Sequence, residues 1–315
     1  MVSFIVIGRN ESWRLERCFK GIYTFVEAES INDYEVIYVD SKSTDGSVEL
    51  SKQFGNNKTI LITGECNAAI ARNIGAKEAS GEILFFLDGD MELIPGFWGD
   101  VVKARGMVYP FMSGLDKNVW HDKDWNYVDA SIDRKYTEGK DTYEVTTGGL
   151  FIIEADLWKR VGGMDNRFRR SQDLDMGFRL TKMGYKLCRK PVVWVNHITQ
   201  YYQTRKDSSS FVKYTAMLLR KHFFELTAQK FLFGPNYSMW ALVFCLILMV
   251  FLQSCWPALG YVVIVLIRSF RTYRKLLVKQ GFGPLFIRQL KNDSSFLYYF
   301  CFFWPKTSEL EYNVL

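Results

Sequence analysis

Four short runs with continuous apolar stretches alternate with helical spacings over the first ninety residues, and this alternation restricts the fold more than any other feature. The runs are Phe4-Ile5-Val6-Ile7, Glu35-Val36-Ile37-Tyr38-Val39, Thr59-Ile60-Leu61-Ile62 and Ile83-Leu84-Phe85-Phe86-Leu87. Between them lie Trp13 to Glu27, with Leu15, Phe19, Ile22 and Val26 at helical spacing, then Thr44 to Phe54, with Ser43 or Thr44 as cap, then the alanine-rich stretch Asn67 to Ala79. Strands that are apolar at every position must be covered on both faces, and helices between them supply the cover. A parallel α/β sheet is therefore expected. Three of the runs end in polar, acidic turns: Gly8-Arg9-Asn10-Glu11, Asp40-Ser41-Lys42-Ser43 and Asp88-Gly89-Asp90. All three belong to the carboxyl edge of the sheet, where open α/β sheets bind ligands.

From residue 105 onward the pattern loosens. Met107–Phe111, Tyr143–Thr147 and Leu150–Ile153 are strand-like, Ser171 to Met183 returns to helical spacing, and Val192–Val195 predicts a last short strand. Near residue 205 the composition changes. Residues 1–204 carry 26 basic and 29 acidic side chains, while 205–315 carry 14 and 5. A catalytic α/β domain over 1–204 and a basic, apolar helical region over 205–315 are expected. The second region contains 31 residues, Tyr237 to Ile267, without a charge. One straight helix of that length, about 46 Å, overshoots a hydrocarbon core of about 30 Å. Gln253, Ser254, Pro257 and Gly260 interrupt the run, and basic residues flank both ends: Arg220, Lys221 and Lys230 before it, Arg268, Arg271, Arg274 and Lys275 after it. A membrane hairpin or re-entrant pair with both flanks in the cytoplasm fits this pattern; a buried soluble hairpin is the other reading. Residues 268–291 hold seven basic residues among Leu and Phe, as an interfacial segment does. The basic excess lies beside this apolar run, which favours a membrane surface over nucleic acid.

The six cysteines (Cys18, Cys66, Cys188, Cys245, Cys255, Cys301) show no C-x-x-C spacing and are expected to be reduced thiols. The opening apolar run is too short for the hydrophobic region of a signal peptide.

Asp88 and Asp90 stand one residue apart at a strand end, with Gly89 giving clearance. Paired carboxylates of this kind suit Mg²⁺ or Mn²⁺ bridging to a substrate phosphate. Asp40 and the hydroxyls after it can hydrogen-bond a base or ribose, or simply cap a turn. His197, after the last strand, is a third metal ligand or a polar loop histidine.

The chain resembles the family 2 glycosyltransferases of GT-A fold. The matching pieces run in order through residues 2–200: Val6 through Glu11, Val39 through Ser47, Ala71-Arg72-Asn73-Ile74-Gly75-Ala76, Ile83 through Asp90, Thr147-Gly148-Gly149 with Val161 through Asp165, and Gln172 through Leu180 followed by Gly184-Tyr185. The resemblance implies a Rossmann-like mixed sheet with helices on both faces, to which the C-terminal helical membrane hairpin read above is appended. It implies a divalent metal, Mn²⁺ or Mg²⁺, and a nucleotide-sugar donor. Gly8, Arg9, Glu11, Asp40, Ser43, Arg72 and Asp88 would bind that donor, with Asp40 at the nucleobase. Asp90 and His197 would hold the metal, Gly148, Gly149 and Gln172 would meet the acceptor, and Asp173 would be the catalytic base of a single inverting displacement. The acceptor would be lipid-linked or polysaccharide, and the enzyme would work at the cytoplasmic face of the plasma membrane in surface-polysaccharide or glycolipid synthesis.

Three departures from the family pattern leave donor preference open. Gln172 replaces the usual acid before the base, Ser41 replaces a second aspartate, and Gly8-Arg9 replaces a proline-threonine region. The Q-x-x-R-W motif of processive synthases is not apparent, so single-sugar transfer is expected. Arg179 is expected to make a structural ion pair. Two further readings stay open: a sugar-phosphate nucleotidyltransferase, which would normally open with a glycine-rich basic loop, and a membrane-surface binding protein that has kept the fold and lost the chemistry.

Overall fold

The computed structural model describes residues 1–55, 57–104, 106–132, 139–200, 208–275 and 281–315. The chain divides into two compact units, one of residues 1–204 with 306–315 and one of residues 205–305. The expected boundary at residue 204 falls within 201–207, outside the described residues, and so do 276–280 of the basic interfacial segment.

The first unit opens β1 (Val2–Gly8), α1 (Ser12–Ala28), β2 (Tyr34–Asp40), α2 (Ser47–Gln53), β3 (Asn57–Ile62), α3 (Ala68–Glu78), β4 (Ile83–Asp88). It continues β5 (Met91–Leu93), α4 (Trp98–Val101), β6 (Val102–Lys103), β7 (Gly106–Met107), β8 (Phe111–His121), β9 (Tyr127–Ser131), β10 (Thr142–Glu144), β11 (Phe151–Glu154), α5 (Ala155–Val161), α6 (Gln172–Lys182) and β12 (Leu187–Gln200). The second unit holds α7 (Ser208–Lys221), α8 (Leu226–Phe233), α9 (Tyr237–Leu252), α10 (Trp256–Lys275) and α11 (Phe282–Phe302), and β13 (Tyr312–Val314) returns to the first.

Among the described residues the main sheet has eleven strands. Nine run in the order β10-β12-β8-β11-β4-β1-β2-β3-β13, with β5 added on β12 and β9 on β8. β1, β2, β3 and β4 are mutually parallel, while β11, β5, β9, β10 and β13 are antiparallel to their neighbours. The chain steps outward from β1 to β3 and then crosses back to β4 on the other side of β1. That reversal opens a crevice at the carboxyl ends of β1 and β4. Register makes the strand ends level: Gly8 lies opposite Asp40, and Ile7 opposite Asp88.

The core explains why the runs carry no polar interruption. Phe4 and Val6 enter one apolar cluster with Leu15, Phe19, Ile22 and Phe25 of α1. Ile5 and Ile7 enter another with Ile70 and Ile74 of α3 and with Leu157 and Trp158 of α5. Both faces of β1 are thus buried. Each of these large side chains stabilises the fold by roughly 1.5–3 kcal/mol on burial.

Three expectations are corrected. The helix expected from Thr44 begins at Ser47, because Asn10 Oδ1 accepts the Thr44 N–H at 2.8 Å and Ser43 Oγ accepts the Asn10 N–H at 2.8 Å. The last strand is not confined to 192–195. β12 runs through residue 200 between β5 and β8, which puts His197 inside it, opposite Met91 and Asn118. Residues 306–315, expected in the membrane region, belong to the sheet unit. There β13 pairs with β3, Tyr312 Oη donates to Glu78 Oε1 at 2.8 Å, and Leu310 and Tyr312 pack on the α3 side of the core.

In the second unit the apolar run is broken at Gln253, whose φ of +48° ends α9. Among the described residues one stretch, Leu226–Leu252, has the length and apolar composition to cross a membrane, its 18-residue apolar window reaching mean hydropathy 1.9. Asp293 of α11 gathers Ser238 Oγ at 2.5 Å, Tyr261 Oη at 3.2 Å and Gln289 Nε2 at 2.8 Å, so one buried carboxylate joins α9, α10 and α11.

Candidate active site

The carboxyl ends of β1, β2 and β4 meet at an open cleft of about 320 Å³. Gly8, Arg9, Glu11, Asp88 and Asp90 of the expected set line it, joined by Ser41, Cys66 and Asn67. Two loops form its near wall and are stapled together. Besides the Asn10 bonds to Ser43 and Thr44, Ser47 Oγ accepts both the Glu11 and the Ser12 N–H, at 3.2 and 3.0 Å.

Asp40 does not line the cleft. It is fully buried, with Oδ2 accepting the Tyr38 hydroxyl at 2.8 Å and Oδ1 the Ser43 N–H at 2.7 Å. The carboxylate expected at a nucleobase therefore fixes the loop, and Ser41 is the cleft-facing residue beside it. Burial, then Asp40, pushes the Tyr38 hydroxyl far up, so it stays a donor. Arg72 is also buried, 2% exposed, and its Nη2 lies 2.6 Å from Asp88 Oδ1. It orients Asp88 from behind. Burial raises the Asp88 carboxyl against the opposing pull of Arg72.

Asp90 has the more telling surroundings. Its Oδ2 lies 3.3 Å from His197 Nε2 and 3.6 Å from Arg14 Nη1, while Oδ1 is buried with no hydrogen-bond partner among the described residues. His197 Nδ1 lies 3.0 Å from Asn118 Oδ1. An amide oxygen can only accept, so Nδ1 carries the proton and Nε2 presents its lone pair toward Asp90 when the ring is neutral. Burial disfavours protonated His197, but its hydrogen bond and charge interaction with Asp90 outweigh this and leave its pKa raised. Glu11 shares the site, 2.6 Å from Arg14 Nη2. Burial first, then Asp90, pushes its carboxyl up to about 7, with Arg14 pulling the other way. Three carboxylates thus face two arginines in a partly dry cleft.

An uncompensated carboxylate oxygen beside an imidazole nitrogen is a donor set that fits a divalent cation. Among the described residues no three His, Cys, Asp or Glu side chains are drawn into a closed ligand set. Asp90 and His197 would therefore supply two protein ligands and leave the other positions to substrate oxygens and water, as Mg²⁺ and Mn²⁺ sites at phosphates commonly do.

Asp173 opens α6, and its Oδ2 accepts the Thr146 hydroxyl at 2.7 Å. The segment from Thr146 to Gly149 connects it to the cleft. A Cβ at Gly149 would lie 2.2 Å from Asp88 Oδ2, and one at Gly177 would lie 1.7 Å from the Val145 carbonyl oxygen. Glycine at these two positions lets the segment press on Asp88 at one end and α6 press on the segment at the other. Three residue steps span at most about 11 Å, so the Asp173 and Asp88 carboxylates are held at the two ends of one short strap. Gly148, exposed with φ +67°, turns that strap. Gln172 Oε1 is buried beside Asp173 with no hydrogen-bond partner among the described residues. Arg179 lies away from this chemistry. It pairs with buried Asp175 at 2.9 Å and donates to the Val161 and Gly163 carbonyls at 2.6 and 2.7 Å.

Residues 3–105 match the family model described as glycosyl transferase family 2. Glycosyltransferase AglE of Haloferax volcanii is 39% identical over 202 residues, covering 59% of this chain and 63% of AglE. Polypeptide N-acetylgalactosaminyltransferase 3 of Taeniopygia guttata is 27% identical over 255 residues, covering 69% of this chain and 40% of that protein. The chain thus spans 40% and 63% of the length of these two curated relatives. Among solved structures, GalNAc-T7 with UDP, GalNAc and Mn²⁺ superposes with a TM-score of 0.58 at 17% identity, covering 75% of this chain and 50% of that one. The mannosyltransferase PcManGT of Pyrobaculum calidifontis, with GDP-Man and Mn²⁺, superposes at 0.55 and 16% identity over 96% of this chain and 87% of its own. The sheet with helices on both faces is the GT-A fold.

The matched segment ends at residue 105, before several residues that build the site. Asn118, Thr146 and Arg14 were not among the sequence candidates. Arg14 stands one helical turn after Glu11 and could have been found by its spacing. Asn118 and Thr146 offer no such signal, since a polar residue in a half-exposed strand or loop is unremarkable by itself.

Proposed function

We propose that the chain is a glycosyltransferase that moves one sugar from a nucleoside-diphosphate donor to a membrane-proximal, lipid-linked or polysaccharide acceptor. The observation that carries this is the buried, unpartnered Oδ1 of Asp90 beside His197 Nε2, at the strand-end cleft of a family 2 domain. Gly8, Arg9, Ser41 and Glu11 bind the donor's nucleoside side, and Asp40, Ser43 and Arg72 hold those groups in place. Asp90 and His197 would hold Mn²⁺ or Mg²⁺, with Asp88 at the ribose and diphosphate; a cation bound there would offset negative charge on the diphosphate. Gly148, Gly149 and Gln172 shape the acceptor side. The Asp173 carboxylate takes the proton from the acceptor hydroxyl as that oxygen bonds to the anomeric carbon, and the diphosphate leaves with the electron pair of the broken bond. One displacement of this kind inverts the anomeric centre. The solved relatives carry UDP and GDP-Man, so uridine and guanosine diphosphates head the donor candidates.

The second unit supports membrane attachment at the cytoplasmic face. Leu226–Leu252 can span, Phe244, Ile247, Val250 and Phe251 are exposed, and basic residues stand on both sides of the apolar run.

Thermal shift with uridine, guanosine and thymidine diphosphates plus Mn²⁺, followed by transfer assays, tests the proposal. One diphosphate should raise Tm in the native chain and not in Asp90→Ala. Asp173→Asn should keep that shift and lose transfer by about 10²–10⁴-fold. Lack of stabilisation by every diphosphate, or native transfer rates in Asp173→Asn, would refute it.

A further inference from the structure

A cluster of aromatic rings stands beside Asp90, on the side of the sheet opposite the nucleoside end. The nucleoside end belongs to β1 and β2. The cluster belongs to the β8–β9 hairpin and the first turn of α1, and β8 is the strand that carries Asn118. Arg14 joins the two places: its guanidinium lies 2.6 Å from Glu11, 3.6 Å from Asp90 and 4.7 Å from the centre of the Trp125 ring. Trp125 is therefore one guanidinium away from the candidate cation ligand. Trp13 meets Trp125 edge-on at 5.4 Å, His121 lies 6.1 Å from Trp13, and Tyr127 lies 6.3 Å from His121.

The cluster is fixed in place. Asp122 Oδ1 accepts the Asp124 and Asn126 N–H groups at 2.8 and 2.9 Å, which closes the hairpin turn and holds Trp125 at φ +64°. Arg14 covers Trp125, but Trp13 and Tyr127 are 37% and 65% exposed. Trp13, packed on the Trp125 ring that Arg14 covers, is thus partly open to solvent, and Tyr127, beyond His121, is more so.

The surrounding charge bears on what can lie on them. Along the hairpin Asp116, Asp122, Asp124 and Asp129 stand against Lys117 and Lys123, with Arg14 beside it, so the patch is slightly acidic. Among the described residues it offers no basic cluster for an anionic membrane surface or a lipid diphosphate. A neutral, hydroxyl-rich ring needs none: its C–H face stacks on electron-rich ring faces, and its hydroxyls donate to carboxylate and amide oxygens.

We infer that Trp13 and Tyr127 form a stacking platform for a neutral sugar residue of the acceptor, seated next to Arg14 and the Asp90–His197 pair. This deepens the proposed function and rests on it. It makes the acceptor a saccharide at the point of contact, whatever carries that saccharide.

The test is saturation-transfer NMR on the full chain in neutral detergent. Methyl glycosides of glucose, galactose, mannose and N-acetylglucosamine serve as probes, alongside a threonine-rich peptide and sedimentation with vesicles containing anionic lipid. Saturation should pass from aromatic protons to one C–H face of at least one glycoside. It should weaken about fivefold to tenfold in Trp13→Ala and in Tyr127→Ala. Both variants should keep the diphosphate–Mn²⁺ thermal shift, which shows they are folded. Undiminished saturation in both variants would overturn the platform. So would saturation of the peptide and no glycoside, or loss of vesicle binding in the variants. Failure of the diphosphate shift in the native chain sinks the catalytic reading instead, so the two failures are distinct.

Discussion

Asn118 accepts one proton, and much of the site's order follows from that bond. Its amide oxygen fixes the tautomer of His197 and turns Nε2 toward Asp90, so Asn118 decides which histidine nitrogen is available. Groups that orient a metal ligand in this way are worth about 10–100-fold in metal affinity. Asn118→Ala should raise the Mn²⁺ concentration needed for half-maximal stabilisation by about that factor, while the diphosphate shift at saturating metal persists. Titration by calorimetry or thermal shift reads this directly, and an unchanged Mn²⁺ requirement would contradict it. At this scale the sequence was legible where strands end. Asp88, Asp90 and the Gly8–Glu11 turn announce themselves because a buried run stops abruptly at an acid. Asp40 reads the same way yet is turned inward, since nothing in the string reveals that Tyr38, two residues earlier on the same face, reaches its carboxylate. His197, read as a third metal ligand or a polar loop histidine, was placed after the last strand because polar Asn196 and His197 break the apolar run of β12. Only the flanking β5 and β8 make that stretch a strand.

Elements are locked together by amide side chains rather than by apolar contact alone. Asn73 of α3 donates to the Met164 carbonyl at 2.6 Å and to Asn166 Oδ1 at 2.6 Å, and accepts the Met164 N–H at 2.9 Å. Asn166 in turn donates to the Ser308 carbonyl at 3.1 Å. The residue after Arg72 is therefore the pin between the helix that orients Asp88 and the turn preceding the Asp173 helix. Asn73→Ala leaves a buried N–H and carbonyl unmet and should cost about 2–3 kcal/mol, at roughly 1 kcal/mol per bond. Denaturant unfolding of the purified chain should show an earlier midpoint, and a shift within error of zero would contradict the pin. Helices and parallel strands were readable from spacing because both faces of the sheet are buried. The hairpins after residue 105 were not, since edge and half-exposed strands mix polar and apolar side chains without a fixed period. Capping was misread at α2 because loop-to-loop bonds took Ser43 and Thr44 before the helix could.

On the scale of the whole chain, the sheet unit is built from both ends of the sequence, and the helical unit is an excursion between them. A three-residue strand gives almost no periodic signal, which is why β13 could not be read in advance. Its partner β3 is some 250 residues earlier, a rough span from the order of elements. Removing residues 306–315 should lower the sheet unit's Tm by several degrees, as loss of about 1–2 kcal/mol does in a unit of this size. A truncated chain that melts with the full one would show the tail to be dispensable. The same arrangement has a consequence for biosynthesis. Ribosomes add roughly 5–20 residues per second, so β3 waits on the order of 10–50 s for its last neighbour. Throughout that interval its backbone offers unpaired donors and acceptors to any other nascent chain. The helical unit is synthesised before the sheet can be sealed, so a delay in its folding would surface as clumping of the sheet.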